Sequence, residues 1–408
     1  MAWAWVALCV VAIFCVVPIA RVLEAAVTAQ FGAPIFLLIV FVCAVTLLWA
    51  ALRSMRRRGA AGWRYAVLST VACALGYYVF TLRGNPIEAL HFVEYGLLAL
   101  LVYRALTHSV RDVSIYFSTV LLVTTVGMID EAVQWLTPDR YWGLEDIILD
   151  FSAAALVCTA IAVAVQPVDI SLRWRWRGVR TLALFGCIAT LTFLLTVVNT
   201  PHRIAAYSDL FPSWLDMRGN DSVMWEYGHR FEDPDIGVFR SRLSAAALAS
   251  RDSQHAEANA AILNEYPKRS QYRQFLSLYT PQNAPFMHEL RVHLFRRDVY
   301  AKRATDQERE AVERLRAQWI GYRENLIVER YYPQTLQRSA FVWAESDPRR
   351  RRPEVADEGE YDSPVSRHLI TAIGEPLLLT SVLTVLVAFC ALYGLANKRL
   401  NESSSKQV

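Results

Sequence analysis

Residues 127–156, GMIDEAVQWLTPDRYWGLEDIILDFSAAAL, place six carboxylates between two strongly apolar stretches: Asp130, Glu131, Asp139, Glu145, Asp146 and Asp150. The stretch before them, SIYFSTVLLVTTV (114–126), and the stretch after them, AALVCTAIAVAV (154–165), are apolar enough for the core of a bilayer. Ionisable groups at a helix centre in the membrane cost about 2.5–3.5 kcal/mol each, so they persist mainly where they face one another, water or a ligand. The sequence therefore predicts a polar site at the ends of two membrane helices.

The composition of the whole chain is typical of a polytopic membrane protein with a polar segment attached. Hydrophobic residues make up 54% of the 408 residues and charged residues 20%, a balance that is too apolar for an ordinary soluble enzyme. All seven cysteines fall in apolar runs and no pair has zinc-ligand spacing. This argues against a disulfide scaffold and against a thiolate metal site.

Eight stretches are long and apolar enough to cross a hydrocarbon core of about 30 Å, which takes roughly 20 residues. They lie at about 2–20, 33–53, 65–82, 86–106, 113–136, 145–166, 179–199 and 370–396. The first lacks the basic n-region of a signal peptide, so we expect a retained helix. We predict an all-α fold, in which a polytopic membrane helix bundle of about eight spans carries a mostly helical domain before its last span.

Short basic loops determine the predicted orientation. RSMRRRGAAGWR, RALTHSVR, RWRWRGVR and NKRL follow the second, fourth, sixth and eighth spans. The positive-inside rule places these loops in the cytoplasm, together with both termini. The chain is then a multi-pass protein of the cell inner (plasma) membrane, and residues 200–369 form an extracytoplasmic domain.

The domain layout follows from these spans. We divide the chain into five parts. They are two N-terminal spans with a basic loop (1–64), a four-helix core (65–166), a second basic loop with the seventh span (167–199), the extracytoplasmic domain (200–369), and the last span with its tail (370–408). Within the polar domain, DQEREAVERLRAQWIGYRENLIVERYY (306–332) has apolar residues at helical spacing, from Val312 to Val328. Residues 347–364 are charged and contain proline, which predicts a flexible linker.

Polar side chains recur three or four residues apart at the predicted outward ends of three neighbouring spans, and such pairs share a helix face. They are His91, Glu94 and Tyr95 on the fourth span, Asp130, Glu131 and Gln134 on the fifth, and Asp146 and Asp150 on the sixth. Arg140, in the connecting loop, is a counter-ion for this set or a clamp for a phosphate or carboxylate. The alternative is that the acids merely cap helices and meet solvated headgroups.

Three segments resemble the VanZ-like family: HFVEYGLLAL (91–100), DEAVQWLTPDR (130–140) and EDIILDFSAAAL (145–156). The resemblance covers residues 65–166 or so, and it implies functional roles for His91, Tyr95, Asp130, Glu131, Gln134, Arg140 and Asp146. The family's named member is associated with resistance to the glycopeptide teicoplanin. This chain has Glu88, Asp139 and Asp150 where the family often has Lys, Gly and Asn, so its pocket is more acidic and favours a cation over a phosphate.

Two interpretations of the function remain open. In the first, the outward pocket binds or acts on lipid-linked cell-envelope precursors, with His91 or Glu131 as general base and Glu94, Tyr95, Gln134 and Arg140 as ligand-binding groups. Asp130, Asp146 and Asp150 would then hold a divalent cation: Mg²⁺ or Ca²⁺ suit oxygen donors, and a histidine also admits Mn²⁺ or Zn²⁺.

In the second interpretation the protein is a non-catalytic membrane scaffold. The polar cluster would be a structural hub that keeps the helices in register, and the extracytoplasmic domain would bind an envelope protein. A transporter is disfavoured because charges are absent midway along the spans. The sequence predicts the lipid bilayer as a partner and no nucleic-acid partner.

Overall fold

A computed structural model of the chain describes residues 1–137, 140, 142–210, 224–281, 283–355, 360–367, 370–371 and 373–405. The chain forms two compact units, residues 1–199 with 379–408 and residues 200–378. Helices account for 75% of the residues and strands for 4%, which confirms the predicted all-α class.

The described residues include eight helices that are long and apolar enough to cross a membrane, as predicted. Their bounds are Ala2–Phe31, Pro34–Arg57, Gly62–Gly84, Pro86–Leu106, Ser114–Trp135, Leu144–Val165, Trp176–Val197 and Glu375–Ser403. The chain is therefore a multi-pass membrane protein.

The first span is about ten residues longer than its hydropathy predicts. It consists of helices α1 (Ala2–Val16) and α2 (Ala20–Phe31), which are joined by a 3₁₀ turn that contains Pro18. The prediction ended at residue 20 because Arg21 and Glu24 follow, yet the helix continues through both. This extension brings two ionisable side chains to the same end of the bundle as the acids of residues 127–156.

The following helices are α3 (Pro34–Arg57), α4 (Gly62–Thr81), α5 (His91–Leu106), α6 (Ser114–Trp135), α7 (Leu144–Thr159) and α8 (Trp176–Val197). Helices α5, α6 and α7 pack on one another, with α1 against α5 and α8 against α6. About half of the residues in the apolar windows of the fourth, fifth and sixth spans are buried, against 6% for the third and eighth spans. The three helices that carry the predicted site are thus the interior of this unit.

Arg64, which ends the predicted basic loop and lies in the first turn of α4, closes the end of the sixth span. The last turn of that span, Ala160–Val165, is π-helical. Arg64 donates to the carbonyl oxygens of Ala164 at 2.9 Å and Val165 at 2.6 Å. A guanidinium suits these carbonyls because a helix C-terminus carries partial negative charge and unsatisfied acceptors. Asp146 and Asp150 start the same span, so the basic loop and the acids occupy opposite ends of it.

The second unit is mostly helical, as predicted. Its helices are α9 (Pro201–Tyr207), α10 (Ala245–Glu265), α11 (Tyr272–Leu278), α12 (Pro285–Ala304), α13 (Ala311–Tyr331) and α14 (Pro333–Arg338), and α15 (Glu375–Ser405) follows. The sequence analysis missed the strands β1 (Glu226–Tyr227), β2 (His229–Asp233), β3 (Gly237–Ser241) and β4 (Ile370–Thr371). Strands β2 and β3 form an antiparallel hairpin, and β1 pairs in parallel with β4.

Helix α13 buries only part of its predicted apolar stripe. Trp319 and Val328 are buried, whereas Val312 is 76% exposed. The described parts of residues 347–364 pack against the unit, so the predicted flexible linker is wrong there. In particular, the indole of Trp319 donates to the carbonyl of Val355 at 2.9 Å.

A buried carboxylate ties this segment to the helices. Glu324, whose side chain is fully buried, accepts from Arg296 Nε at 2.9 Å, the Tyr361 hydroxyl at 2.6 Å and Ser363 Oγ at 3.0 Å. Its other oxygen lies 2.6 Å from His293 Nδ1. Burial alone would raise the pKa of Glu324, but His293, Arg296 and Tyr361 outweigh it and lower the pKa to about 2.

We expect Glu324→Gln to destabilise the chain at neutral pH and to remove part of its acid sensitivity. The folded pKa of about 2 lies below the ordinary 4.5, so the carboxylate stabilises the fold above about pH 4.5. That contribution is lost as the pH falls towards 2. Thermal unfolding of the full chain in detergent across this window measures the effect. Glu257→Gln, on the exposed face of α10, is the control, and equal pH profiles for both variants would contradict the prediction.

Helices α8 and α15 should be linked by oxidation. Cys187 Sγ lies 3.5 Å from Cys390 Sγ. A membrane-permeant oxidant should therefore form a Cys187–Cys390 disulfide, detected as a linked peptide by mass spectrometry, and Cys390→Ser should abolish it. The exposed Cys73 on α4 should stay open to alkylation under the same conditions. Free alkylation of both Cys187 and Cys390 after oxidation would show that the two helices do not pack this way.

Candidate functional site

The centre of the candidate site is a histidine–aspartate pair between α5 and α7. His91 Nδ1 lies 2.8 Å from Asp150 Oδ1; the aspartate side chain is fully buried, and 17% of the histidine side chain is exposed. Tyr95, one turn along α5, stacks on the imidazole with 5.8 Å between ring centroids. Nε2 of His91 is left without a protein partner among the described residues. The imidazole of His91 is thus held in place by the contact at Nδ1 and by the stacking of Tyr95 on one face of the ring.

Gly127 makes room for this pair. A Cβ on Gly127 would lie 3.0 Å from Cβ and Cγ of Asp150 and would collide with its Oδ2. Asp150 therefore sits directly on the backbone of α6, and a side chain at position 127 would displace it.

A second set of contacts connects α6 to the loop that follows it. The Gln134 amide donates to Asp130 Oδ2 at 3.1 Å and to Glu131 Oε1 at 2.6 Å. Arg140 donates in turn to the side-chain oxygen Oε1 of Gln134, and the backbone amide of Gly143 donates to Glu131 Oε2 at 2.7 Å. Glu131 is fully buried and both of its oxygens accept hydrogen bonds. Its geometry therefore supports anchoring of the loop rather than the predicted role as a base. Asp139 lies outside the described residues.

The predicted site residues converge on one cavity of about 740 Å³. Six of the nine line it: His91, Glu94, Asp130, Gln134, Arg140 and Asp146. The other three, Tyr95, Glu131 and Asp150, are buried next to them and contact the lining residues. The expectation that three neighbouring helix ends bring their polar side chains together agrees with this arrangement.

One wall of the cavity comes from a part of the chain that the sequence analysis did not consider. The first span and the start of α3 contribute an apolar surface that includes Ile13, Val17, Leu23 and Phe36. The same span adds Arg21 and Glu24 to the lining. Their spacing of three residues at the end of an apolar run was the available signal, since such a pair shares one helix face.

The predicted metal ligands do not form a metal-binding group. No three His, Cys, Asp or Glu side chains within the described ranges are arranged so that they could hold a metal ion. One oxygen of Asp130 accepts from Gln134, and one oxygen of Asp150 meets His91. The structure therefore gives no support to Asp130, Asp146 and Asp150 as a ligand set for a divalent cation.

Several acidic groups have spare hydrogen-bonding capacity. Oδ1 of Asp130 and Oδ2 of Asp150 are buried and accept no hydrogen bond in the described part of the chain. The Tyr95 hydroxyl lies near Asp130 but outside hydrogen-bonding geometry. Buried polar atoms in proteins are normally paired. These two oxygens are therefore hydrogen-bond acceptors that the packing of the protein leaves unused.

No protein-family model, no curated protein and no solved structure matches this chain. The function must therefore be argued from the geometry of the site and from the resemblance of residues 65–166.

Gly127→Ala should destabilise the site by overpacking. We expect the free energy of unfolding to fall by about 1–3 kcal/mol, because the added methyl group collides with Asp150. Thermal unfolding in detergent measures this. The matched control is Gly76→Ala in α4, where an added Cβ meets nothing within 4 Å and stability should stay the same or rise. Equal stability of the two variants would show that α6 and α7 are not in contact at Asp150.

Proposed function

We propose that this chain is a VanZ-like integral membrane protein of the cell envelope that binds an amphiphilic, lipid-linked envelope precursor and uses His91 as a general base. The observation that carries the proposal is the 2.8 Å contact between His91 and the buried Asp150 on the wall of the cavity. The imidazole lines the cavity, so a ligand there can meet it.

The pair has the arrangement that an activated base needs. A buried carboxylate that accepts from Nδ1–H fixes the tautomer and the orientation of the imidazole, which leaves the Nε2 lone pair to take a proton. Asp150 is then a positioning residue, and His91 is the group that meets the ligand. A base held in this way contributes typically 10²–10⁴-fold to a rate.

The shape of the cavity favours an amphiphile. Its volume of about 740 Å³ is within the range of sites for small molecules. Apolar side chains of the first span and α3 form one wall, and the polar groups of α5, α6 and α7 form another. A ligand with a hydrocarbon tail and a polar head would match both walls.

For the orientation we propose cytoplasmic termini and an extracytoplasmic site. Arg64 and its basic loop lie at one end of the sixth span and the acids lie at the other. The positive-inside rule assigns the basic end to the cytoplasm. Because successive spans alternate in direction, residues 200–369 then lie on the extracytoplasmic side of the inner (plasma) membrane. An envelope precursor is accessible on that side.

The contacts of Glu131 favour a second candidate, a non-catalytic scaffold. Its bonds to Gln134 and to the Gly143 amide are those of a hub that holds a loop on a helix. In that case the domain of residues 200–369 would carry the function by binding an envelope protein. The two candidates differ in what His91 does, because a scaffold needs no unpaired Nε2.

His91→Gln should abolish turnover without unfolding the protein. Purified protein is incubated with a total envelope lipid extract, and mass spectrometry identifies the species that the wild type converts. We expect conversion to fall by about 10²–10⁴-fold in His91→Gln because the base is lost. Glu131→Gln is the comparison, since it should lower thermal stability. Unchanged conversion in His91→Gln, or no conversion by the wild type, would favour the scaffold. Susceptibility to a glycopeptide in cells that carry the same variants tests the link implied by the resemblance.

A further inference from the structure

The lining of the cavity carries more negative than positive groups. Five carboxylates line it, Glu24, Glu88, Glu94, Asp130 and Asp146, and the guanidinium groups of Arg21 and Arg140 are the cations among them. Three of these seven are bonded to neutral neighbours: Glu88 accepts from Asn85, Asp130 accepts from Gln134, and Arg140 donates to Gln134. The half-buried carboxylates of Glu24, Glu94 and Asp146 have no hydrogen bond or ion pair in the described part of the chain.

Asp130 adds a buried acceptor to the wall of the cavity. Its side chain lines the cavity although the residue is only 4% exposed, and its Oδ1 accepts no hydrogen bond. Its Oδ2 accepts from the neutral amide of Gln134, so the buried carboxylate has no cationic hydrogen-bond partner among the described residues. An opposite charge at hydrogen-bonding distance would offset the cost of withdrawing it from water. The cavity is therefore complementary to a cation.

The geometry favours an organic cation over a metal ion. Metal ions of the Mg²⁺ or Ca²⁺ class need several oxygens within about 2.0–2.6 Å of one point, and the described residues provide no such group. An ammonium group instead donates three hydrogen bonds to acceptors that stand farther apart. The apolar wall formed by Ile13, Val17, Leu23 and Phe36 borders the same cavity.

We infer that the cavity binds the primary ammonium head group of an amphiphile, with Glu94, Asp130 and Asp146 as acceptors and with the hydrocarbon tail along the first span and α3. The inference rests on the proposed function for the amphiphilic nature of the ligand, and it adds the charge of the head group.

The test is the binding of labelled dodecylammonium to the full-length protein in maltoside micelles at fixed detergent concentration. We expect saturable binding to the wild type. Glu94→Gln and Asp146→Asn should each weaken it about tenfold, because each removes one charge-assisted hydrogen bond. Neither carboxylate has a protein partner to lose, so thermal stability should not fall in these variants.

Glu145→Gln is the matched control for Asp146→Asn. Glu145 is the neighbouring acid on α7, but it is exposed and does not line the cavity. We expect it to bind dodecylammonium as the wild type does, within about twofold. An equal loss for Glu145→Gln and Asp146→Asn would mean that the amine responds only to surface charge, and it would overturn the inference.

Two further ligands separate the head group from the tail. Dodecyl phosphate has the same tail and should bind at least tenfold more weakly than dodecylammonium; tighter binding of the phosphate would overturn the assignment. Ethylammonium has the same head and should not compete at equal concentration, because it cannot use the apolar wall. Equal competition would exclude an amphiphile.

The outcomes for the inference and for the proposed function are distinguishable. If dodecylammonium does not bind but His91→Gln loses conversion of an envelope lipid, the ammonium inference fails and the proposed function stands. If dodecylammonium binds with the expected dependence on Glu94 and Asp146 while His91→Gln converts lipid normally, the ammonium site stands and the catalytic role of His91 fails.

Discussion

A charge withdrawn from water between membrane helices must find a partner, and this requirement organises the first unit. The carboxylate of Asp150 is fully buried and meets the imidazole of His91 at 2.8 Å. Gly127 gives it the space to lie on the backbone of α6. The contact therefore fixes three helices at one end of the bundle. The cavity, the loop after α6 and the wall from the first span are arranged around that end.

The acids of residues 127–156 have separate roles although they lie close together in sequence. Glu131 has a structural role, since both of its oxygens accept hydrogen bonds. One accepts from the side chain of Gln134 and the other from the Gly143 amide in the following loop. Asp150 orients the histidine, and Asp130 and Asp146 face the cavity. This division answers why so many carboxylates lie against apolar helices. Some of them build the site, and the others leave it with negative charge for a ligand.

In the second unit, the buried carboxylates of Glu226, Glu289 and Glu324 are paired with arginine side chains. Arg242, which is nearly buried, bonds to Glu226 and Glu289 and also to the Ser366 hydroxyl at 2.9 Å. Glu324 accepts from Arg296, Tyr361 and Ser363 and lies beside His293. Its pKa is lowered to about 2 in spite of full burial. A cationic partner of this kind offsets the cost of burying a carboxylate. The unpaired carboxylates of the membrane cavity differ from these networks, and that difference supports a binding site.

The sequence by itself determined the all-α class, the eight membrane helices and the helix ends at which the polar residues meet, because span length and the three- to four-residue spacing are local properties. It could not show that the first span continues through Arg21 and Glu24, since both side chains line a cavity that only the tertiary structure forms. The hairpin of β2 and β3 was missed because strand propensity depends strongly on the packing around each strand. Only the tertiary structure decided that Asp150 pairs with His91 and that Glu131 holds a loop. Those assignments depend on which oxygens lie within hydrogen-bonding distance across helices, and the spacing within one helix carries no information about its neighbours.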